Sequence, residues 1–138
     1  MLAREFDLIT EFFRDEVNSR LERIFDEELN EISAETKRYG VDTADAFLHD
    51  LYGYAKEFVI PTGKMGNLQP GVLAPTIPKR FRPTFGILAY LAVGGKDENS
   101  IINAMAPIDL IHYGTLGHDD MRCMDGDEYR HCIKSYWN

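Results

Sequence analysis

Eight apolar residues, Phe6, Ile9, Phe13, Val17, Leu21, Phe25, Leu29 and Ile32, recur at intervals of three and four, with charged groups filling most positions between them. At about 100° per residue this spacing lays the apolar side chains along one stripe of a long helix. A stripe of that length is stable only when other helices cover it, so the first forty residues already commit the chain to helix-on-helix packing. Gly40 ends the helix. Asp42 or Thr43 can cap a second one, with Phe47, Leu51, Tyr54, Ala55 and Phe58 as its buried stripe. A third helix is expected from Pro83 to the Gly94-Gly95 stop. It is apolar or small nearly all round and should lie in the interior. The fourth should start at Asn99 or Ser100 and carry Ile102, Met105, Ile108, Ile111 and Thr115, with a kink or restart at Pro107.

No strand pattern competes, so the expected fold is all-α. The expected organisation is a single domain over residues 1–138. It comprises a long N-terminal helix over 1–40, a Pro/Gly-rich loop over 60–79 and a chemistry-bearing segment over 80–138. The loop holds Pro61, Gly63, Gly66, Pro70, Gly71, Pro75 and Pro78. Loops of that length tend to be functional or mobile. The remaining elements cannot cover an all-round apolar third helix, so the chain should pair with itself or with another helical subunit.

A net charge of −8 argues against nucleic acid or an anionic membrane as the main partner. The apolar run Leu88–Val93 is far too short for stable membrane insertion. Cys123 and Cys132 form no CxxC pair, and His49, His112, His118 and His131 lack zinc-ligand spacing to them. Free thiols and a start with acids in place of a signal-peptide core point to the cytoplasm.

Two charged segments carry the candidate chemistry. Asp119, Asp120, Asp125, Asp127 and Glu128 put five carboxylates within ten residues, after an apolar helical run and before Arg130. Hard divalent cations take oxygen ligands and commonly reach phosphate-bearing substrates through one or two carboxylates. A solvated acidic helix end would look the same. Upstream, Lys79, Arg80 and Arg82 flank Pro83, where a helix N-terminus and guanidinium groups together suit a phosphate. On a straight helix Asp125 falls about 240° around from Asp119. The helix must therefore end or distort between them for both to reach one cation, and Gly126 can terminate it.

Lys79-Arg80-Phe81-Arg82-Pro83, His112, His118-Asp119-Asp120 with Asp125, and Arg130 resemble, in order and spacing, the motifs of the trans-isoprenyl diphosphate synthases, or polyprenyl synthetases. The resemblance covers roughly residues 42 to 136. It implies a helical bundle corresponding to the first half of an isoprenoid synthase fold. It also implies a Mg²⁺-dependent prenyltransferase that condenses an allylic diphosphate with isopentenyl diphosphate. On that template Asp119, Asp120 and Asp125 hold Mg²⁺ and are the catalytic residues. Arg130 contacts the allylic diphosphate, and Lys79, Arg82 and His112 bind isopentenyl diphosphate. Small residues at Gly114 and Thr115, ahead of the first aspartate, imply room for a product longer than fifteen carbons, with Tyr113 positioned to intrude.

Four departures accompany the likeness. Ile77-Pro78 replaces the glycine pair before the lysine, while Thr62-Gly63-Lys64 resembles that approach, leaving Lys64 and Lys79 as competing candidates. His131 stands where the family has a second arginine, and Arg122 introduces a fixed charge inside the acidic motif. The family also carries a second aspartate-rich motif, absent from these 138 residues. The chain is thus expected to supply half of a prenyltransferase site, completed by a further chain. The alternative is a non-catalytic regulatory or binding subunit of a full-length synthase.

Overall fold

The computed structural model describes residues 2–135, which form four helices and one short hairpin. Helix α1 spans Leu2–Tyr39, α2 Asp42–Val59, α3 Phe81–Ala92 and α4 Glu98–Asp119; strands β1 (Tyr129–Arg130) and β2 (Ile133–Lys134) pair antiparallel. The architecture is all-α. The hairpin, absent from the expectation, is too short to leave a period-two signal. No helix of the described residues is long and apolar enough to cross a membrane.

The core gathers Phe13, Val17 and Leu21 of α1 with Phe58, Val59 and Ile60 at the end of α2. Ile87 of α3, Ile102, Ala106 and Tyr113 of α4 and Ile133 of the hairpin complete it. The middle of the α1 stripe is therefore buried as its periodicity requires, whereas Ile9 is exposed. Gly40, at φ 67°, takes the left-handed conformation that ends α1 without a Cβ clash.

Helix α2 is rotated from its expected phase. Phe47 (66% exposed), Leu51 and Tyr54 face outward, while Leu48, Tyr52 and Ala55 are half-buried and Phe58 is buried. Polar pins on α1 set the phase. The Asp45 carboxylate accepts from Ser33 Oγ and Thr36 Oγ1, both at 2.9 Å, and Lys56 reaches Asp26 at 2.7 Å. These hydrogen bonds hold the Asp45 carboxyl below its ordinary range. The N-cap of α2 is Val41 without a side-chain bond, in place of the expected Asp42 or Thr43.

Helix α3 begins two residues before Pro83. The proline sits in the first turn, where its missing N–H has no intrahelical partner to lose. Only one face of α3 is covered: Pro83, Thr84 and Ile87 are buried, while Phe81, Phe85 and Val93 are exposed. Helix α4 starts at Glu98, capped by Asp97, which accepts from Ser100 N at 2.9 Å and whose carboxyl is lowered by those bonds. It continues through Pro107 as one helix, so of the expected kink or restart the restart does not occur. Its buried face is Ile102, Ala106, Asp109 and Tyr113; Ile108, Ile111 and Thr115 are exposed.

The 60–80 segment is fastened at both ends. The buried Glu57 carboxylate accepts from Thr62 N at 2.9 Å, Thr62 Oγ1 at 2.7 Å and Gly63 N. Further along, Gln69 N donates to Cys132 O, Thr76 N to His131 O and Lys134 N to Asn67 O. Leu68 adds a bridge to Ile133. This loop is what holds the hairpin, and with it Arg130 and His131, against the end of α4.

Candidate functional site

Arg80 is the hub beneath the site. It precedes α3 in the left-handed region, at φ 56°, a conformation costing a non-glycine residue on the order of 1 kcal/mol. Three bonds offset that cost: Nε to Asn18 Oδ1 at 2.7 Å, Nη1 to Asp109 Oδ2 at 3.0 Å and Nη2 to the Val59 carbonyl at 2.7 Å. Its guanidinium also lies 5.4 Å from the Tyr113 ring centroid. One buried side chain thus ties α1, α2 and α4 to the start of α3. Of the three bases in the basic segment, this one is structural.

Above it, bases distant in sequence converge. His112 of α4 is held below its ordinary imidazole range by burial, and further by Arg82 and Arg130, against a raising effect of Asp109. His131 is likewise lowered, first by burial, then by Arg130, Arg80 and His112, with Asp120 opposing. Three of the four expected substrate-binding residues, Arg82, His112 and Arg130, therefore share one electrostatic neighbourhood. His131, missed as a site residue, joins them. Tyr113 links the group: its hydroxyl lies 3.2 Å from His131 Nε2, and its ring packs 5.9 Å from the His131 ring. Burial raises that phenol to about 12, so it stays protonated.

Lys79 is placed elsewhere. It is exposed, its Nζ 5.5 Å over the Phe81 ring, and it lines a polar cleft with Asp7, Glu11 and Arg14. Lys64 is also exposed.

Tyr113 also forms part of the wall of an apolar cleft of about 470 Å³ between α1, α2 and α4, with Phe25, Phe58, Leu110, Gly114 and Met121. Phe58 meets Tyr113 edge-on at 5.7 Å. Gly114 lines this cleft, with nothing within 4 Å of where a Cβ would stand. Thr115 does not line it; its hydroxyl returns to the His112 carbonyl at 2.7 Å. His118, at the end of α4, borders the same cleft. Tyr113 thus touches both the basic group and a hydrocarbon-sized cleft.

Comparison with known proteins points the same way. No family model and no solved structure matches the chain. Over 52 residues, 38% of the chain, it is 44% identical to the chloroplastic geranylgeranyl pyrophosphate synthase of Capsicum annuum. Over the same length it is 42% identical to the chloroplastic large subunit 1 of the heterodimeric geranylgeranyl pyrophosphate synthase of Arabidopsis thaliana, and 42% to farnesyl diphosphate synthase of Bacillus subtilis (strain 168). Over those residues the chain is similar to prenyl diphosphate synthases. The matched stretch spans 14% of the length of the first two relatives and 17% of the third.

Against the family's aspartate-rich motif, the acidic segment here has an unexpected arrangement. Helix α4 ends at Asp119, and Asp125 N folds back to the Asp119 carbonyl at 2.9 Å, so the chain does turn between them. Gly126, at φ 70°, closes that turn with Gly126 N donating to Met121 O; it does not itself terminate α4. The Asp120 side chain is fully buried, and Arg130 Nε donates to both its oxygens at 3.0 and 2.8 Å, with Nη2 adding a further bond. That pairing raises the Arg130 pKa. Asp119 is half-exposed and Asp125 exposed. Among the described residues no three carboxylates, imidazoles or thiols converge on a position where one cation could be held. Among the described residues the magnesium that the motif implies has no assembled ligand set, and Asp120 is paired with Arg130.

Proposed function

We propose that this chain supplies the diphosphate-binding and chain-accommodating part of a trans-prenyltransferase site acting on an allylic diphosphate and isopentenyl diphosphate. The observation that carries the reading is that Arg82 and Arg130 both act electrostatically on His112 and Tyr113, while Tyr113 also lines the apolar cleft. In a chain of net charge −8, that local field is what a diphosphate needs to approach. Guanidinium groups add bidentate contacts to its oxygens.

In the condensation, the allylic C–O bond breaks and diphosphate leaves with the electron pair. The double bond of isopentenyl diphosphate attacks the allylic cation, and a proton is then lost. Arg82 and Arg130 would stabilise the negative charge accumulating on the leaving group. The walls of the cleft, with the faces of Phe25, Phe58 and Tyr113, would exclude water from the cation. Asp119 and Asp125 remain open to a divalent cation, and Mg²⁺ dependence belongs to the fuller site, with further ligands from polypeptide beyond these residues. The exposed apolar surfaces of α2 (Phe47, Leu51, Tyr54) and α3 (Phe81, Phe85) suit a helical partner, a second copy or a synthase subunit.

A non-catalytic role as a subunit of a full-length synthase is the second reading. The Asp120–Arg130 pairing favours it, and the name of the Arabidopsis relative, a subunit of a heterodimer, supports a partner under either reading.

The test is titration of the chain with isopentenyl diphosphate by calorimetry, followed by product assay with an allylic diphosphate and Mg²⁺. The isolated 138 residues should bind the diphosphate but yield no elongated product, and Arg82→Ala should weaken binding by about tenfold or more. Binding unaffected by Arg82→Ala would overturn the anion site. If added full-length synthase changes its own product while Asp119→Asn in this chain has no effect, the subunit reading stands.

A further inference from the structure

Helices α1 and α2 pair antiparallel, with Ser33 bonded to Asp45 towards one end and Lys56 to Asp26 towards the other. Residues 25–32 of α1 therefore lie alongside 47–55 of α2. Phe25, Leu29 and Ile32 follow one another at steps of four and three, and Phe47, Leu51, Tyr54 and Phe58 at four, three and four. That is the spacing of a seam into which a further helix sets its side chains. Phe25, Ala55 and Phe58 line the same cleft, so both seams open on one side of the pair. Helix α4 contributes Tyr113 and His118 to that cleft and ends at the next residue, Asp119. From Phe25, α1 runs on to Tyr39 for roughly 20 Å at 1.5 Å per residue. Beside it the α2 seam lies bare, with Phe47 66%, Leu51 41% and Tyr54 51% exposed.

The borders of this face are acidic. At about 100° per residue, Glu28, Glu31 and Glu35 fall roughly 60–120° from Phe25, on the side away from Ser33 and Asp26, which bond to α2. On α2, Asp50 lies on the edge turned from Asp45 and Lys56. All four acids are exposed, and among the described residues only Glu35 has an ion pair, with Arg38 at 3.4 Å. A second copy docked through the same face would set acid against acid between chains of net charge −8. The apolar patch on α3 differs, because Phe81 and Phe85 already pack against the Phe6 ring at 5.7 and 5.6 Å.

We propose that the α1–α2 face seats an amphipathic helix from a different polypeptide, apolar along one stripe and carrying lysine or arginine along its edges. Laid over Leu29, Leu51 and Tyr54, that helix abuts the end of α4 and closes the apolar cleft where Phe25 and Phe58 line it. The inference rests on the reading that further polypeptide completes the site, and not on the diphosphate cluster.

The probes are two synthetic amphipathic helices with the same leucine stripe, one flanked by lysine and one by glutamate, and a scrambled form of the lysine peptide. Binding to the full chain is read by fluorescence anisotropy at physiological ionic strength. The lysine helix should bind about tenfold or more tighter than the other two. Phe47→Ser with Leu51→Ser should weaken it by about tenfold, whereas Ile111→Ser, an exposed change on α4, should leave it unaltered. Glu28→Lys with Glu31→Lys leaves the seam untouched and should invert the preference between the lysine and glutamate helices. Failure of the lysine helix to bind, or binding that survives both double variants, sinks the proposal. A self-dimer in sedimentation that Phe47→Ser with Leu51→Ser dissolves would make the occupant a second copy and sink it as well. Peptide docking without isopentenyl diphosphate binding would leave this inference standing and remove the anion site; the converse result would do the opposite.

Discussion

Replacing Arg80 by methionine would keep most of the side-chain volume while removing every donor that ties α1, α2 and α4 to the start of α3. Asp109, 3% exposed, would then hold a buried charge opposite nothing. Breaking a buried pair from one side costs about 3–5 kcal/mol, chiefly because the surviving charge is uncompensated. Urea denaturation of Arg80→Met should register a loss in that range, and Arg80→Met with Asp109→Leu should recover much of it. A loss below about 1 kcal/mol for the single change would contradict the role assigned to Arg80. The residue scale also marks where sequence is mute. Arg80 and Arg82 are two residues apart and chemically identical, yet one is structural and the other exposed beside His112. Nothing local distinguishes them; the Asn18, Asp109 and Val59 partners come from three other elements. His131 was legible only as a replaced arginine, since its contact with Tyr113 exists only once the hairpin folds back.

At the scale of elements, helix existence and approximate extent were legible from periodicity and from Gly40, Pro83 and the Gly94-Gly95 pair. Rotational phase was not. Phe47, Leu51 and Tyr54 of α2 repeat at helical spacing as well as Leu48 and Tyr52 do; of the expected stripe only Ala55 and Phe58 turn inward, and Ser33, Thr36 and Asp26 on α1 made the choice. The loop after α2 was legible as irregular from its prolines and glycines, but its fastening was not. That fastening begins at Glu57, whose carboxylate satisfies two backbone N–H groups and one hydroxyl. Glu57→Gln would keep the shape but lose an acceptor oxygen and the charge that strengthens these bonds. Amide hydrogen exchange around residues 62–76 should accelerate severalfold, together with that of the hairpin the loop holds, while the middle of α1 is unchanged. Faster exchange at residues 62–63 alone would mean that the hairpin is held without Glu57.

Across the whole molecule, the order of basic segment, helix and aspartate-rich helix end was readable, and the relatives similar to the chain over a 52-residue stretch are prenyl diphosphate synthases. What sequence could not convey is that Asp120 turns inward to Arg130 and that the cleft opens between α1, α2 and α4. The cleft bears on product length in a site completed by further polypeptide. Gly114 borders it with open space at its Cβ position, whereas Thr115 lies outside it, so Gly114 is the position that a bulky ring would convert into a plug. Tyr113 already contributes its ring to the wall, but burial against Phe58 and its bond to His131 hold that ring to one side. About 470 Å³ leaves room for more than a short prenyl tail. We therefore expect the completed enzyme to release products longer than fifteen carbons, and Gly114→Phe to shorten them by at least one five-carbon unit. Chromatography of the products of both proteins decides the matter. If the wild type stops at fifteen carbons and Gly114→Phe leaves that length unchanged, the growing chain does not enter this cleft.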